Sequence, residues 1–170
     1  MKTLLTLTLI QKNKQILLGY KKRGFGIGKF NGFGGKVEKE ESIKEAAYRE
    51  VFEEAGIEAH DLEEIGLIDF SWNNQKNPPL TVYVFKADSF SGQIEESEEM
   101  KPEWFDLDKI PYKKMWDDDR YWFPYFLQNK KFQASFIFDN KDKVIEYNIQ
   151  EVTKINPDKK KRSPQADNSF

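Results

Sequence analysis

The sequence predicts an α/β fold, an α/β/α sandwich in which one mixed sheet carries a main helix on each face. Two observations lead there: apolar runs of strand length recur along the chain, and two stretches of helix length interrupt them. A third is the pair of stop and start signals that bracket the first helical stretch, from Ser42 to Gly56.

The elements follow in chain order. In TLLTLTLI, Leu5, Leu7 and Leu9 alternate with Thr6 and Thr8, the period of a half-buried strand. A lysine before an apolar run imitates a secretion signal, but the run is short, QKNKQ follows, and no small-residue cleavage site appears. QILLGYKK is a second strand, and the polar KNK turn makes residues 3–22 a strand pair. GFGIGKFNGFGG then places six glycines in twelve residues, which calls for positive φ or close approach of the backbone to something else. Ser42 and Glu45 form a capping box that opens a helix, and Gly56 closes it near Ala55.

EIGLIDFSW and PLTVYVFKA are further strands joined by NNQKNP, and EWFDL is a short one. DDDRYWFPYFLQNK is the second helix, with acids at its N-terminal end and Pro124 near its first turns. FQASFIF and KVIEYNIQEV form a hairpin about DNKD. Residues 1–152 make one domain. The stretch 153–170 lacks periodicity and is expected to be disordered, with DKKKRS either a solvated charge run or a nuclear address.

Composition removes several function classes. The 170 residues suffice for one buried core, and a net charge of −2 gives no basic field for a nucleic acid polymer. With no cysteine, disulfides, thiolate metal sites and cysteine nucleophiles are all excluded. No run reaches the roughly 20 apolar residues of a membrane span. Aromatic residues are 15% of the chain, enough that some rings are expected to line a pocket. The expectation is a monomer with a small-molecule partner and no membrane, in a reducing compartment: the cytoplasm, with nucleus or mitochondrion as further settings.

The first helix poses the chemical question. With Ile43 at zero and 100° per residue, Ala46, Ala47, Glu50 and Glu54 fall within roughly 60°, and Glu53 lies about 80° away. Tyr48, Phe52 and Ala55 form a second apolar face, as in a helix covered on two sides. Glutamates inside a packing stripe repel one another and lose hydration, at several kcal/mol for each uncompensated ion. A hard divalent cation compensates that charge, and Mg²⁺ is the usual choice beside phosphates.

Gly35, Glu41 and Arg49-Glu50-Val51-Phe52-Glu53-Glu54-Ala55-Gly56-Ile57 fill every fixed place of the pattern G-x5-E-x7-R-E-U-x-E-E-x-G-U. This segment resembles the Nudix box. KKRGFGIGKFNGFGGKV, ESEEMKPEWF and MWDDDRYWFP extend the similarity, over about residues 3–152, to the oxidised purine nucleoside triphosphatase branch, the eukaryotic MutT homologues. The resemblance implies a Nudix-type sandwich that hydrolyses oxidised purine nucleoside triphosphates such as 8-oxo-dGTP and 2-oxo-dATP to monophosphate and pyrophosphate, with Mg²⁺ or Mn²⁺.

It also implies roles. Glu50, Glu53 and Glu54 ligate metal with the Gly35 carbonyl, and Arg49 holds the glutamates in place. Glu54 and Glu99 are rival general bases, and Glu99 stands near the metals. Glu41 either approaches them from the loop or is solvated. Lys21 contacts phosphate or sugar. Asn31, Asp118 and Asp119 read the base edge and Trp116 stacks on it, with Phe25, Phe70 and Trp72 as walls, Thr6 as floor and Leu80 where the branch has Met. Two close carboxylates do not readily both ionise, so one becomes a hydrogen-bond donor, and that pair is expected to accept both oxidised purine edges. Asp117 stands where the branch has Pro, which predicts a looser loop; Phe30 replaces Trp and Ile27 replaces Ala. His60 is read as a surface residue.

Overall fold

The computed structural model describes residues 3–74 and 77–158, together with the backbone of 165–166. The basic run at 159–162 and residues 75–76 of the NNQKNP turn lie outside the described residues. In chain order the strands are β1 (Thr3–Lys12), β2 (Gln15–Lys21), β3 (Phe30–Asn31), β4 (Glu58–Ala59), β5 (Glu63–Trp72), β6 (Leu80–Ala87), β7 (Phe90–Ser91), β8 (Met100–Asp106), β9 (Phe132–Phe138), β10 (Val144–Glu151) and β11 (Gln165–Ala166). Two helices interrupt them, α1 (Ile43–Ala55) and α2 (Asp119–Leu127), with a short 3-10 turn at Tyr112–Lys114. Strand β11 lies in the tail expected to be structureless, where it pairs with β10.

The main sheet runs β11-β10-β9-β5-β6-β1-β2-β3, with β8 also on β2. It is mixed, because β1 lies parallel to β6 and β5 parallel to β9 while the other pairs are antiparallel. Two fully buried clusters alternate along the same strands. Val82 and Val84 of β6 and Ile16 and Leu18 of β2 face Trp122, Phe123 and Phe126 of α2. Tyr83 and Phe85, with Leu17 and Ile10, face Ala47, Val51 and Ala55 of α1. That period of two, sandwiched between helices, is the expected architecture.

Local signals act as read. The Ser42 hydroxyl accepts from the Glu45 amide at 3.0 Å, and Gly56, at φ 73°, donates to Phe52. In the KNK turn Asn13 and Lys14 both take positive φ, so the chain reverses within two residues, and Lys12 pairs with Gln15. Two expectations are corrected. The second apolar face of α1 is covered only in part: Ala55 is buried and Tyr48 packs on the same cluster, whereas Phe52, opposite the buried arc, is 56% exposed. Pro124 is the sixth residue of α2, beyond its first turn. It withholds one amide donor, and the burial of Trp122, Phe123 and Phe126 keeps the helix in place.

Candidate active site

A cavity of about 450 Å³ lies between the glycine-rich segment, the C-terminal end of α1 and the start of α2. One end is lined by Thr6, Lys21, Gly34, Gly35, Glu54 and Glu99. The other is lined by Asn31, Trp72, Trp116, Asp118 and Asp119, with Phe25, Phe70 and Leu80 completing the walls. The cavity thus holds thirteen of the sixteen residues predicted for the site.

The acid end is built by contact between α1 and the glycine-rich loop. A side chain at Gly34 would place its Cβ 1.7 Å from the Thr6 carbonyl oxygen, so only glycine fits there. The loop therefore lies flat on β1, and the Gly34 amide donates to Glu54 Oε1 at 2.7 Å. Glu54 is 4% exposed. Burial is the main cause of its pKa rising to about 8, against the opposing pull of the Gly34 amide and Lys21. Lys21 Nζ sits 3.0 Å from Glu99 and 3.9 Å from Glu54. Its hydrogen bond holds the Glu99 carboxyl below its usual range. In this structure Lys21 bridges two acids, and its predicted contact with substrate would be made from there.

Arg49, Glu50 and Glu53 do not line the cavity. Arg49 gathers the acids on its flank. Its Nε and Nη2 take both oxygens of Glu41, at 3.0 and 2.7 Å, and its Nη1 reaches Glu50 at 2.9 Å and Glu53 at 3.2 Å. Nη2 also donates to the Lys36 carbonyl at 3.1 Å. Glu41 is thus neither an arm toward a metal nor a solvated side chain, but the forked partner of Arg49, whose hydrogen bonds lower its pKa to about 2. Glu50 is half-buried, and desolvation raises its pKa against the Arg49 bond. The Glu53 carboxylate is mostly exposed.

The Gly35 carbonyl accepts the Thr6 amide at 2.9 Å and keeps one lone pair. A Cβ on Gly35 would stand 2.6 Å from Glu50 Oε1, so backbone and carboxylate meet closely there. Among the described residues no three acidic side chains converge as a finished cage. The donors present are all hard oxygens, a set suited to Mg²⁺ or Mn²⁺ rather than to a soft metal.

The base end is handled differently. Asp118 and Asp119 are 3% and 2% exposed. Asp118 does not cap α2 with its side chain. Its Oδ2 accepts the Trp122 indole N–H at 2.8 Å instead. Burial lifts the Asp118 pKa to about 6. Burial, then the charge of Asp118 and a hydrogen bond to it, lift Asp119 well above its ordinary value. Burial thus favours a proton held within the pair, and the Asp119 Oδ2 makes no hydrogen bond within the protein.

Trp116 stacks on Phe25 with ring centroids 5.0 Å apart, and Phe25 meets Trp72 edge-on at 6.2 Å. Lys29 Nζ stands over Trp116. Asn31 turns its Oδ1 back to the Gly32 amide at 2.9 Å, leaving its side-chain NH₂ for other work. The loop at Asp117 is anchored rather than loosened: the carboxylate accepts the Val144 amide at 2.9 Å and pairs with Arg120 at 3.1 Å. Phe30 packs against Phe105 outside the cavity, Ile27 is exposed, and His60 lies at the surface beside Ser91. Trp122, Gly34 and Phe138 were not foreseen at the site. Trp122 had a signal in its four-residue spacing from Asp118 on one helix, and Gly34 in the glycine-rich run, whereas Phe138 had none.

The NUDIX domain profile matches residues 3–126. This chain belongs to the Nudix family. Its Nudix relatives include the oxidized purine nucleoside triphosphate hydrolases of Danio rerio, 48% identical over 88% of this chain and 95% of that one, and of Mus musculus, 47% identical with the same coverage. Among solved structures, the MutT protein of Bacillus halodurans matches with a TM-score of 0.78 at 26% identity, covering 86% of this chain and 97% of that one. A MutT Nudix hydrolase of Burkholderia pseudomallei matches at 0.61 and 26%, over 65% and 88%. The chain is thus a Nudix hydrolase with the fold of that family, and Nudix hydrolases use divalent metal ions. Among the described residues no helix is long and apolar enough to cross a membrane.

Proposed function

We propose that this protein hydrolyses oxidised purine nucleoside triphosphates of the free nucleotide pool, 8-oxo-dGTP and 2-oxo-dATP, to the monophosphate and pyrophosphate in the presence of Mg²⁺. One observation carries the reading: the carboxylate of Glu54 and the Asp118–Asp119 pair open into the same cavity, so a purine at one end brings its phosphates to the acids at the other. The Danio rerio and Mus musculus relatives are oxidized purine nucleoside triphosphate hydrolases, and those matches span most of both chains.

The residues divide the work. Glu50, Glu53, Glu54 and Glu99, with the free lone pair of Gly35, would hold Mg²⁺, and Mn²⁺ suits the same oxygens. A bound cation supplies neutralisation of phosphate charge and activation of water. Arg49 keeps Glu50 and Glu53 side by side and ties them to the loop through Glu41 and Lys36. Glu54 is the acid best suited to take a proton from water, because burial leaves it the stronger base near neutral pH, whereas Lys21 holds Glu99 down. At the far end one carboxyl of the Asp118–Asp119 pair donates and the other accepts, so a purine carrying an added carbonyl or N–H finds complementary groups. Trp116 and Phe25 supply ring faces for stacking.

The test is pyrophosphate release from 8-oxo-dGTP, 2-oxo-dATP and dGTP, compared by kcat/KM with Mg²⁺, with Mn²⁺ and with chelator. Oxidised purines are expected to lead dGTP, with no turnover in chelator. Equal values for all three nucleotides would overturn the substrate assignment.

A further inference from the structure

The two indole walls of the cavity are held from behind by one short turn. The β9–β10 connection is tight: the Asp139 carboxylate accepts the amides of Lys141 and Lys143 at 2.8 and 3.0 Å, and the Asp139 amide meets the Lys143 carbonyl at 2.8 Å. Within it Asp142 adopts φ 58°, in the left-handed region, which non-glycine residues enter at some cost and Asp more readily than most. That backbone aims its Oδ1 at the Trp72 indole N–H, 2.9 Å away. Two residues on, the Val144 amide is taken by Asp117, the residue directly after Trp116. Phe138, which enters the same turn, packs on Trp72 at 5.3 Å and on Trp116 at 5.9 Å.

An indole N–H buried without a partner is costly, and a bond to a carboxylate fixes the ring about its torsions. Trp72 is 6% exposed and lies at the back of the cavity beneath Phe25, so its tilt sets the depth available to a base. Asp117 does the equivalent for Trp116 from the helix side, through a backbone amide rather than a ring. Neither carboxylate lines the cavity.

We propose that the β9–β10 turn is a positioning element for the base pocket, with Asp142 orienting Trp72 and Asp117 orienting Trp116, and that it sets affinity for the purine without touching the phosphates. The inference rests on the proposed purine substrate, and its test separates the two. Asp142→Gly keeps the left-handed backbone and removes the carboxylate, Asp142→Asn keeps both the backbone and an acceptor oxygen, and Trp72→Phe keeps a ring and removes the donor. Binding of 8-oxo-dGMP is measured by calorimetry for each variant and for the double variant Asp142→Gly/Trp72→Phe. The Trp72 indole N–H resonance is followed by ¹H–¹⁵N spectra.

Asp142→Gly is expected to weaken binding roughly tenfold, the scale of one charge-assisted hydrogen bond, and to shift the Trp72 resonance. Asp142→Asn stays within about threefold. In Trp72→Phe the Asp142→Gly change adds nothing further, whereas Asp117→Ala remains additive with Trp72→Phe because it acts on the other wall. In turnover the loss falls on KM and spares kcat. Wild-type-like binding by a folded Asp142→Gly, or additivity of Asp142→Gly with Trp72→Phe, overturns the inference. Absence of 8-oxo-dGMP binding by the wild type overturns the substrate reading instead, while the resonance shift still reports the Asp142–Trp72 bond.

Discussion

The two ends of the cavity are both acidic, and they manage that acidity in opposite ways. Around α1 the carboxylates have cations beside them: Arg49 serves Glu41, Glu50 and Glu53, and Lys21 serves Glu54 and Glu99. Around the start of α2, Asp118 and Asp119 have an indole N–H and each other. Counter-charge holds Glu41 and Glu99 below the usual carboxylate range, whereas burial outweighs it at Glu54 and Glu50 and acts without any cation's opposition at Asp118 and Asp119. The same side-chain chemistry therefore gives one cavity two acidic ends of different electrostatic character.

The largest expected effect separates the ends outright. Glu54→Gln should lower kcat by about 10²–10⁴-fold, the range of a lost general base, while 8-oxo-dGMP affinity, set at the other end, holds; a variant that loses affinity instead would merge the two functions. Arg49→Lys comes next. A lysine ammonium cannot fork to Glu41 while also reaching Glu50 and Glu53, and a fall of about 10–100-fold in kcat with a raised Mg²⁺ requirement is expected. At the base end, Asp119→Asn and Asp118→Asn should each change the ratio of kcat/KM between 8-oxo-dGTP and 2-oxo-dATP by about tenfold, since one buried donor or acceptor is left unmatched; an unaltered ratio in both would remove the donor–acceptor reading.

The smallest effect is on stability. The folded-state pKa values of Asp118 and Asp119 are raised, so their contribution is fully present below the unfolded value of 3.8 and is lost as pH climbs through about 6 for Asp118 and beyond for Asp119. Stability of the metal-free protein should therefore fall over that window, and Asp119→Asn should flatten the fall, by a few degrees in Tm. A wild-type Tm that rises between pH 4 and 7 as steeply as that of Asp119→Asn would contradict the protonated pair.

Much of this architecture is legible in the sequence. Helix α1 was legible from its ends because capping is local: Ser42, Glu45 and Gly56 act on neighbours within four residues. The strands were legible because alternation records which face is buried. Phe52 shows the limit of that reasoning, since a helical wheel counts apolar side chains but not the elements that pack on them. The part played by Glu41, eight residues before Arg49, was open for the same reason, and the anchoring of Asp117 on Val144 and of Trp72 on Asp142 spans 27 and 70 residues. No periodicity records contacts at such separations. Nor does sequence tell which of two adjacent aspartates keeps the proton, because that depends on the burial of both and on an indole from the next turn.

The parallel pairing of β1 with β6 carries a consequence for assembly. On one edge Thr3–Ile10 pairs with Leu80–Ala87, so closing the middle of the sheet means bringing distant segments together, the slow kind of contact in folding. A fragment that stops before Leu80 can form the first hairpin and α1, yet the floor beneath the cavity at Thr6 would lack its flanking strand. Catalytic competence should therefore emerge late and all at once on refolding, after the helical signal has recovered.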